Sequence, residues 1–277
     1  MRIVSLLPSA TEIVAELGLA DRLVGRSEEC DWPPEVRRLP VVTASRVDSS
    51  RLAGREIDAA VRTAIASGEA LYALDEQLLE RLRPDVVITQ DLCRVCAVSS
   101  AEVCDVGARV VSLDPRTLGE VAGSVRELAA ALGVPDRGEA VARRLLERVA
   151  AVRERVAGLP ERRVFVAEWL DPPFAAGHWI PEMVAAAGGR DVLGRAGEPS
   201  RPTTWDEVAA AAPELVVLAP CGFDARRAAQ EASGLELPWP AVPVDANRYF
   251  ARPAPALADG VEQLARILHP EAFTAAA

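Results

Sequence analysis

Lysine is absent from this chain, and all 31 of its basic residues are arginines. That removes Schiff-base chemistry and the lysine-dependent P-loop from consideration. The 31 basic residues face 41 acidic ones, for a formal net charge of −10. An acidic chain with no basic run lacks the electrostatic footprint of a nucleic-acid binder, and its charge gives no attraction to anionic lipid. Histidine occurs only twice, at His178 and His269. A receptor for a bare metal ion needs several converging imidazoles and carboxylates, so that class is disfavoured. No apolar run is long enough to insert directly into a membrane. The first such run, Ile3-Val4-Ser5-Leu6-Leu7, suits a strand and not the core of a secretory signal. No lipobox-like cysteine follows it, so the chain as given is expected to be cytoplasmic, and periplasmic or extracellular only if trimmed. The five cysteines are odd in number, which fits reduced thiols. No G-x-S-x-G elbow, H-E-x-x-H pair or Gly-rich dinucleotide fingerprint occurs, so a non-enzymatic protein that requires no cofactor is expected.

What is present is an internal echo. The first half reads strand Ile3–Leu7, a loop, helix Ala10–Leu17 and Gly18. The second reads strand Arg163–Glu168, a loop, helix Pro181–Ala187 and a Gly188-Gly189 helix cap. Each half then runs a helix through proline into an apolar strand, Pro84-Asp85-Val86-Val87-Ile88 in one and Pro213-Glu214-Leu215-Val216-Val217-Leu218 in the other. Each closes on a short strand, Arg109–Leu113 and Ala241–Val244. Short apolar strands alternating with helices indicate parallel sheets covered on both faces. Ser9-Ala10-Thr11-Glu12 and Thr204-Trp205-Asp206-Glu207 both have the capping-box form. The fold class is therefore α/β, two similar lobes with mostly parallel central sheets, a ligand cleft between them and one long helix joining them. The N-terminal lobe covers 1–135, the connecting helix 136–158 and the C-terminal lobe 159–277. Val141, Leu145, Val149, Val152 and Val156 mark the buried face of the connector. Residues 45–75, with a helix over Glu56–Ser67 ended by Gly68, have no counterpart in the second half and read as a lid or surface addition.

Ligands of open parallel sheets bind beyond the carboxyl ends of the strands. The loops there are Pro8-Ser9, Gln90-Asp91-Leu92-Cys93, Trp169–Trp179, Pro220–Phe223 and Asp245–Arg252. Aromatics make up only 4% of the chain, yet Trp169, Phe174, Trp179, Phe223, Tyr249 and Phe250 fall in or beside these loops, and Trp32 follows another strand-like segment. Trp169 and Phe250 are expected to pack the loops themselves. The remainder suit a large, flat, partly apolar ligand. Cys93-Arg94-Val95-Cys96, with Cys104, reads first as structural or ligand-contacting thiols, second as a metal or cluster site, and third as a redox pair. His178 either hydrogen-bonds locally, which is the plainer reading, or donates one axial bond to a metal held in a macrocycle.

The combination of motifs resembles the helical-backbone receptors that serve ABC importers, and within them the cobalamin-binding members. The segments that carry the resemblance are Arg2–Glu12, Asp31-Trp32-Pro33-Pro34, Pro172-Pro173-Phe174 with Gly177, and Tyr249-Phe250-Ala251-Arg252. It spans roughly residues 1–44 and 74–268. It implies a corrinoid lying edge-on in the cleft against Trp32, Phe174 and Tyr249; Pro8, Ser9, Gln90, Asp91, Leu92, Cys93, His178, Trp179 and Arg252 are candidate contacts from their place on the strand-end loops. It also implies a monomer and an ABC permease as partner. The Gln90–Cys96 loop departs from the family, whose exported members carry tryptophan and glycines there. The expected function is corrinoid binding, by a substrate-binding protein or its cytosolic relative. The alternatives are a metal- or cluster-binding redox protein using Cys93, Cys96 and Cys104, and ferric-siderophore binding, for which Arg94 and Arg252 provide thin positive charge.

Overall fold

The computed structural model describes residues 1–91 and 107–273. The chain forms two compact units, Met1–Pro115 with Gly123–Ala142, and Arg116–Ala122 with Arg143–Ala277. Both are α/β, as the alternation of apolar strands and helices requires.

The first unit begins with β1 (Ile3–Ser5), buried along its whole length, and α1 (Pro8–Glu16). The capping box expected at Ser9 does not form. The N-cap is Leu7 without a side-chain bond, and Pro8 occupies the first turn, where its missing N–H costs nothing. Ser9, Thr11 and Glu12 are buried instead, and the Thr11 hydroxyl lies 2.9 Å from Ser5 Oγ and 3.0 Å from Cys30 Sγ. The chain continues through β2 (Leu23–Arg26), β3 (Thr43–Ser45), α2 (Gly54–Ser67), β4 (Tyr72–Leu74), α3 (Glu76–Leu82), β5 (Val86–Thr89) and β6 (Arg109–Ser112). The sheet order is β2-β1-β5-β6 with every pair parallel. β5 is buried at all four residues, as a run of Val-Val-Ile flanked by neighbours on both edges must be. The segment without a counterpart is α2 between β3 and β4, which pair antiparallel from Thr43↔Leu74 to Ser45↔Tyr72. Gly68 ends α2 with φ 73°, as read from the sequence.

Two helices follow, α4 (Leu118–Ala131) and α5 (Pro135–Arg155). α5 has 21 residues, about 32 Å of helix. Its first residues belong to the first unit and the rest, from Arg143, to the second. Val141, Leu145, Val149 and Val152 are all buried, and so is Val156 just past its end. The helix stops three residues earlier than expected, because Gly158 turns the chain at φ 83° before Pro160.

The second unit contains β7 (Arg162–Leu170), β8 (Pro173–Ala175), α6 (Ile180–Ala186), β9 (Gly189–Asp191), β10 (Arg201–Pro202), α7 (Trp205–Ala210), β11 (Leu215–Leu218), α8 (Ala225–Ala232), β12 (Ala241–Pro243), α9 (Ala246–Tyr249) and α10 (Leu257–Leu268). The strand order is β10-β8-β7-β11-β12, with β9 also on β7. β9, β11 and β12 run parallel in their pairs, while β8 and β10 are antiparallel. The stretch Trp169–Trp179, expected as one loop, thus contains a returning strand. Gly188 does terminate α6, at φ 82°, but Gly189 already begins β9. The capping box at Thr204 forms, with Glu207 N–H donating to Thr204 Oγ1 at 3.1 Å. Phe165, Ala167, Leu170, Val208, Val216, Leu218 and Ala228 make one core of this unit. Arg148 on α5 forks onto Asp259 Oδ1 (2.7 Å) and Glu262 Oε1 (2.8 Å) of α10. His269, expected at the C-terminal fringe, is buried with Nε2 3.1 Å from the Gly188 carbonyl oxygen.

Asp191, at the end of β9, is the one charge in this unit that burial acts on most strongly. Its Oδ1 accepts from the N–H groups of Leu193 (3.2 Å) and Gly194 (2.8 Å). Its Oδ2 is buried with no hydrogen-bond partner among the described residues. Gly194 passes so close that a Cβ there would fall 2.6 Å from Oδ2. Burial outweighs the backbone bonds and pushes the carboxyl up to about 7. An acid raised in the folded state stabilises fully below its unfolded pKa, and the contribution is lost as pH rises through about 7. Asp191→Asn, which keeps the Oδ1 contacts without the charge, is therefore expected to match wild type in urea melts at pH 4. At pH 8 it should be more stable, by on the order of 2 kcal/mol. An equal difference at both pH values would contradict this.

Candidate ligand-binding site

In the first unit the strands deliver four loops from their carboxyl ends. Pro8 and Ser9 follow β1, Ser27–Trp32 follow β2, Gln90-Asp91 follow β5 and Asp114 follows β6. Ser9 and Gln90 are buried, at 3% and 7% exposure, and Trp32 stands out at 41%. Asp91 lies in a polar group that sequence spacing did not reveal. The Ser112 hydroxyl sits 3.0 Å from Asp91 Oδ2 and 2.7 Å from Asp114 Oδ2, so its single proton serves one carboxylate at a time. Glu28, just past β2, has its carboxyl held up by burial against the opposing pull of the Ser45 backbone and Arg26. Leu92, Cys93, Arg94, Cys96 and Cys104 lie outside the described residues. No cluster of three or more His, Cys, Asp or Glu side chains suited to a metal ion occurs among the described residues.

In the second unit the β7–β8 hairpin, the turn after β8, the Pro220–Phe223 loop and the α9 region carry the candidates. Phe174 is partly exposed on β8 and Tyr249 partly exposed at the end of α9. The aromatics sort differently from their expected roles. Trp179 is buried at 6% exposure and its indole N–H donates to the Phe250 carbonyl at 2.7 Å, which makes it a core residue locking the turn. Phe223 is buried too, 5.3 Å from Trp169 and covered by the Arg227 guanidinium at 3.9 Å. Phe250 packs fully, as expected, while Trp169 keeps part of its surface. Arg252 is buried and donates to Asn247 Oδ1 at 2.9 Å. Asp245 caps α9 by accepting from Arg248 N–H at 2.9 Å. Burial raises its carboxyl, Asp224 raises it further, and Arg252 and Arg248 pull it down.

The turn that carries His178 is built from both sides. Glu168, at the exposed end of β7, accepts from Gly177 N–H at 3.1 Å, and Ser200 donates to its other oxygen. His178 N–H donates to the Glu198 carbonyl at 2.7 Å, and Gly197 N–H to the His178 carbonyl at 2.9 Å. The result is a histidine with φ 49°, a left-handed conformation that costs a residue with a Cβ about 1 kcal/mol or more. Its ring leans on Trp179, centroids 5.6 Å apart. Burial first, and then Arg116, holds the imidazole below its ordinary pKa, so it is neutral at pH 7. Glu168 was not singled out by sequence, although a glutamate ending an apolar strand run at a carboxyl edge was the available signal.

A family model described as periplasmic binding protein matches residues 3–235. The vitamin B12-binding protein of Salmonella choleraesuis (strain SC-B67) is 24% identical over 269 residues, which cover 96% of this chain and 90% of that one. The structure of the periplasmic vitamin B12 binding protein of Vibrio cholerae matches with TM-score 0.69 at 23% identity, over 99% of this chain and 98% of that one. The periplasmic heme-binding protein of Roseiflexus sp. RS-1 matches with TM-score 0.70 at 22% identity, over 98% and 99%. At these identities the two structures show the shared fold. The family is one of substrate-binding proteins and not of enzymes. The expected cytoplasmic location is overturned: the matching family is that of periplasmic binding proteins, and both solved relatives are periplasmic.

Proposed function

The chain belongs to the periplasmic binding protein family, and on that premise we propose that it captures a corrinoid and hands it to an ABC permease. The observation that carries this reading is the partly exposed aromatic set Trp32, Phe174 and Tyr249, each on a loop, strand or helix end at the carboxyl side of its sheet. Such rings supply large apolar area to a flat ligand at little conformational cost. The vitamin B12-binding relatives support the corrinoid, and the heme-binding relative supports a second flat metallo-macrocycle as the competing ligand. Native mass spectrometry of the protein isolated from its own host tests the reading. A corrinoid mass bound at one per chain is expected, and a bound heme in its place would overturn it.

A further inference from the structure

We propose that Asp191 is a positioning residue for the ligand face of the second unit, holding the site ready while its carboxyl is neutral and loosening it when the carboxyl ionises. The proposal rests on the reading of Phe174 as a ligand contact, and it adds a proton as a second partner in capture and release. Three observations carry it. Asp191 Oδ1 accepts from the N–H groups of Leu193 and Gly194, while Oδ2 is buried with no hydrogen-bond partner among the described residues. The chain at Gly194 lies so close over the carboxyl that a Cβ there would stand 2.5 Å from Asp191 Cγ. The residues that follow run straight to the site. Arg195 N–H donates to the Ala176 carbonyl at 3.0 Å, Gly197 N–H donates to the His178 carbonyl at 2.9 Å, and β10 pairs Pro202 with Phe174.

A neutral carboxyl can keep one oxygen dry at modest cost, whereas a buried carboxylate with a bare oxygen draws in water. For water to reach Oδ2, Gly194 must move off it, and the backbone bonds of Arg195 and Gly197 move with it. The charged groups on the elements around β9 are committed elsewhere. On β7, Arg162 pairs with Glu214, Arg163 donates to the Ala211 and Ala212 carbonyls, and Glu168 accepts from Gly177 and Ser200. Glu182 of α6 accepts from Leu118 N–H, Arg190 of β9 itself pairs with Glu161, Arg195 pairs with Glu198, and His269 past α10 meets the Gly188 carbonyl. What acts on Asp191 is burial, most strongly, and then the backbone of Gly194, Leu193 and Val166, which together bring its carboxyl to about 7. The packed, neutral form grips the ligand, so binding takes up a proton. Affinity is therefore full at lower pH and falls as pH rises through about 7.

The test uses the full chain, Asp191→Asn and cyanocobalamin, which does not itself titrate near neutrality. Fluorescence titrations at about pH 6 and about pH 8.5 are expected to show wild type binding about tenfold more weakly at the higher pH, and Asp191→Asn binding with one dissociation constant at both. Hydrogen exchange of the ligand-free chains, corrected for the intrinsic effect of pH, is the second readout. The amides of Arg195, Gly197 and His178 should open more readily at the higher pH in wild type and not in the variant. Wild-type affinity that stays flat with pH, or that falls equally in Asp191→Asn, overturns the proposal and leaves the corrinoid reading standing. Absence of cyanocobalamin binding by either chain at either pH overturns the corrinoid reading, and the exchange then decides the role of Asp191 alone. Loosening confined to wild type supports that role, and loosening in both chains or in neither overturns it.

Discussion

Gly177→Ala is expected to destabilise the second unit by about 3 kcal/mol or more, the upper range for overpacking against atoms that cannot yield. A Cβ on Gly177 would stand 2.4 Å from Ser200 N, 2.5 Å from the Glu198 carbonyl oxygen and 2.6 Å from the Pro199 carbonyl carbon. All three are backbone atoms, so no side chain can swing aside. The 195–200 turn would have to move, and with it the two hydrogen bonds that fix His178 and the Glu168 contacts to Gly177 and Ser200. The substitution should thus lower the urea midpoint and weaken ligand binding together. Ser200→Ala, which removes one hydroxyl from the same network, should cost only about 1 kcal/mol. Equal midpoints for Gly177→Ala and wild type would show that the turn is not packed as described.

The second large effect concerns the rings. Phe174→Ala and Trp32→Ala are each expected to weaken corrinoid binding about tenfold, because each loses roughly 1.5 kcal/mol or more of apolar burial. The two residues lie in different units, so the double variant should lose about a hundredfold if the contacts are independent. Stability should change little, since Trp32 is already 41% exposed without ligand. Ile65→Ala, at a residue 56% exposed on α2, is the control and should leave affinity unchanged. Titration by fluorescence quenching checks all four. A Phe174/Trp32 double variant that binds like wild type would remove both rings from the contact set.

The parts of this fold legible in the sequence are those fixed by neighbours along the chain. Val86–Ile88 and Leu215–Leu218 are apolar runs too short for a helix, and they are central strands. The buried stripe of α5, the Gly68 stop and the Thr204 capping box follow from spacing and cap chemistry alone. What was not legible depends on residues far apart. β8 exists because Pro173–Ala175 finds the edge of β7 above β9, and three residues starting with proline carry no strand signal. Ser9 looks like a helix cap, but Pro8 starts the helix two residues earlier than that cap implies, and Ser9 is buried within its first turn. Trp32 and Trp179 are alike as loop tryptophans, and only the Phe250 carbonyl makes one of them core. The left-handed turn at His178 is imposed by residues 197–198, and the raised carboxyl of Asp191 by packing around β9. Local chemistry named candidate side chains, and tertiary contacts decided which of them stay exposed.

Equilibrium dialysis of the intact protein against cyanocobalamin tests the central claim most directly, since it needs no spectral change and no assumption about His178. Saturation at one corrinoid per chain with a dissociation constant of about 1 µM or below is the predicted result. No retained corrinoid at about 100 µM, from a protein whose circular dichroism and melting are those of a folded chain, would contradict it.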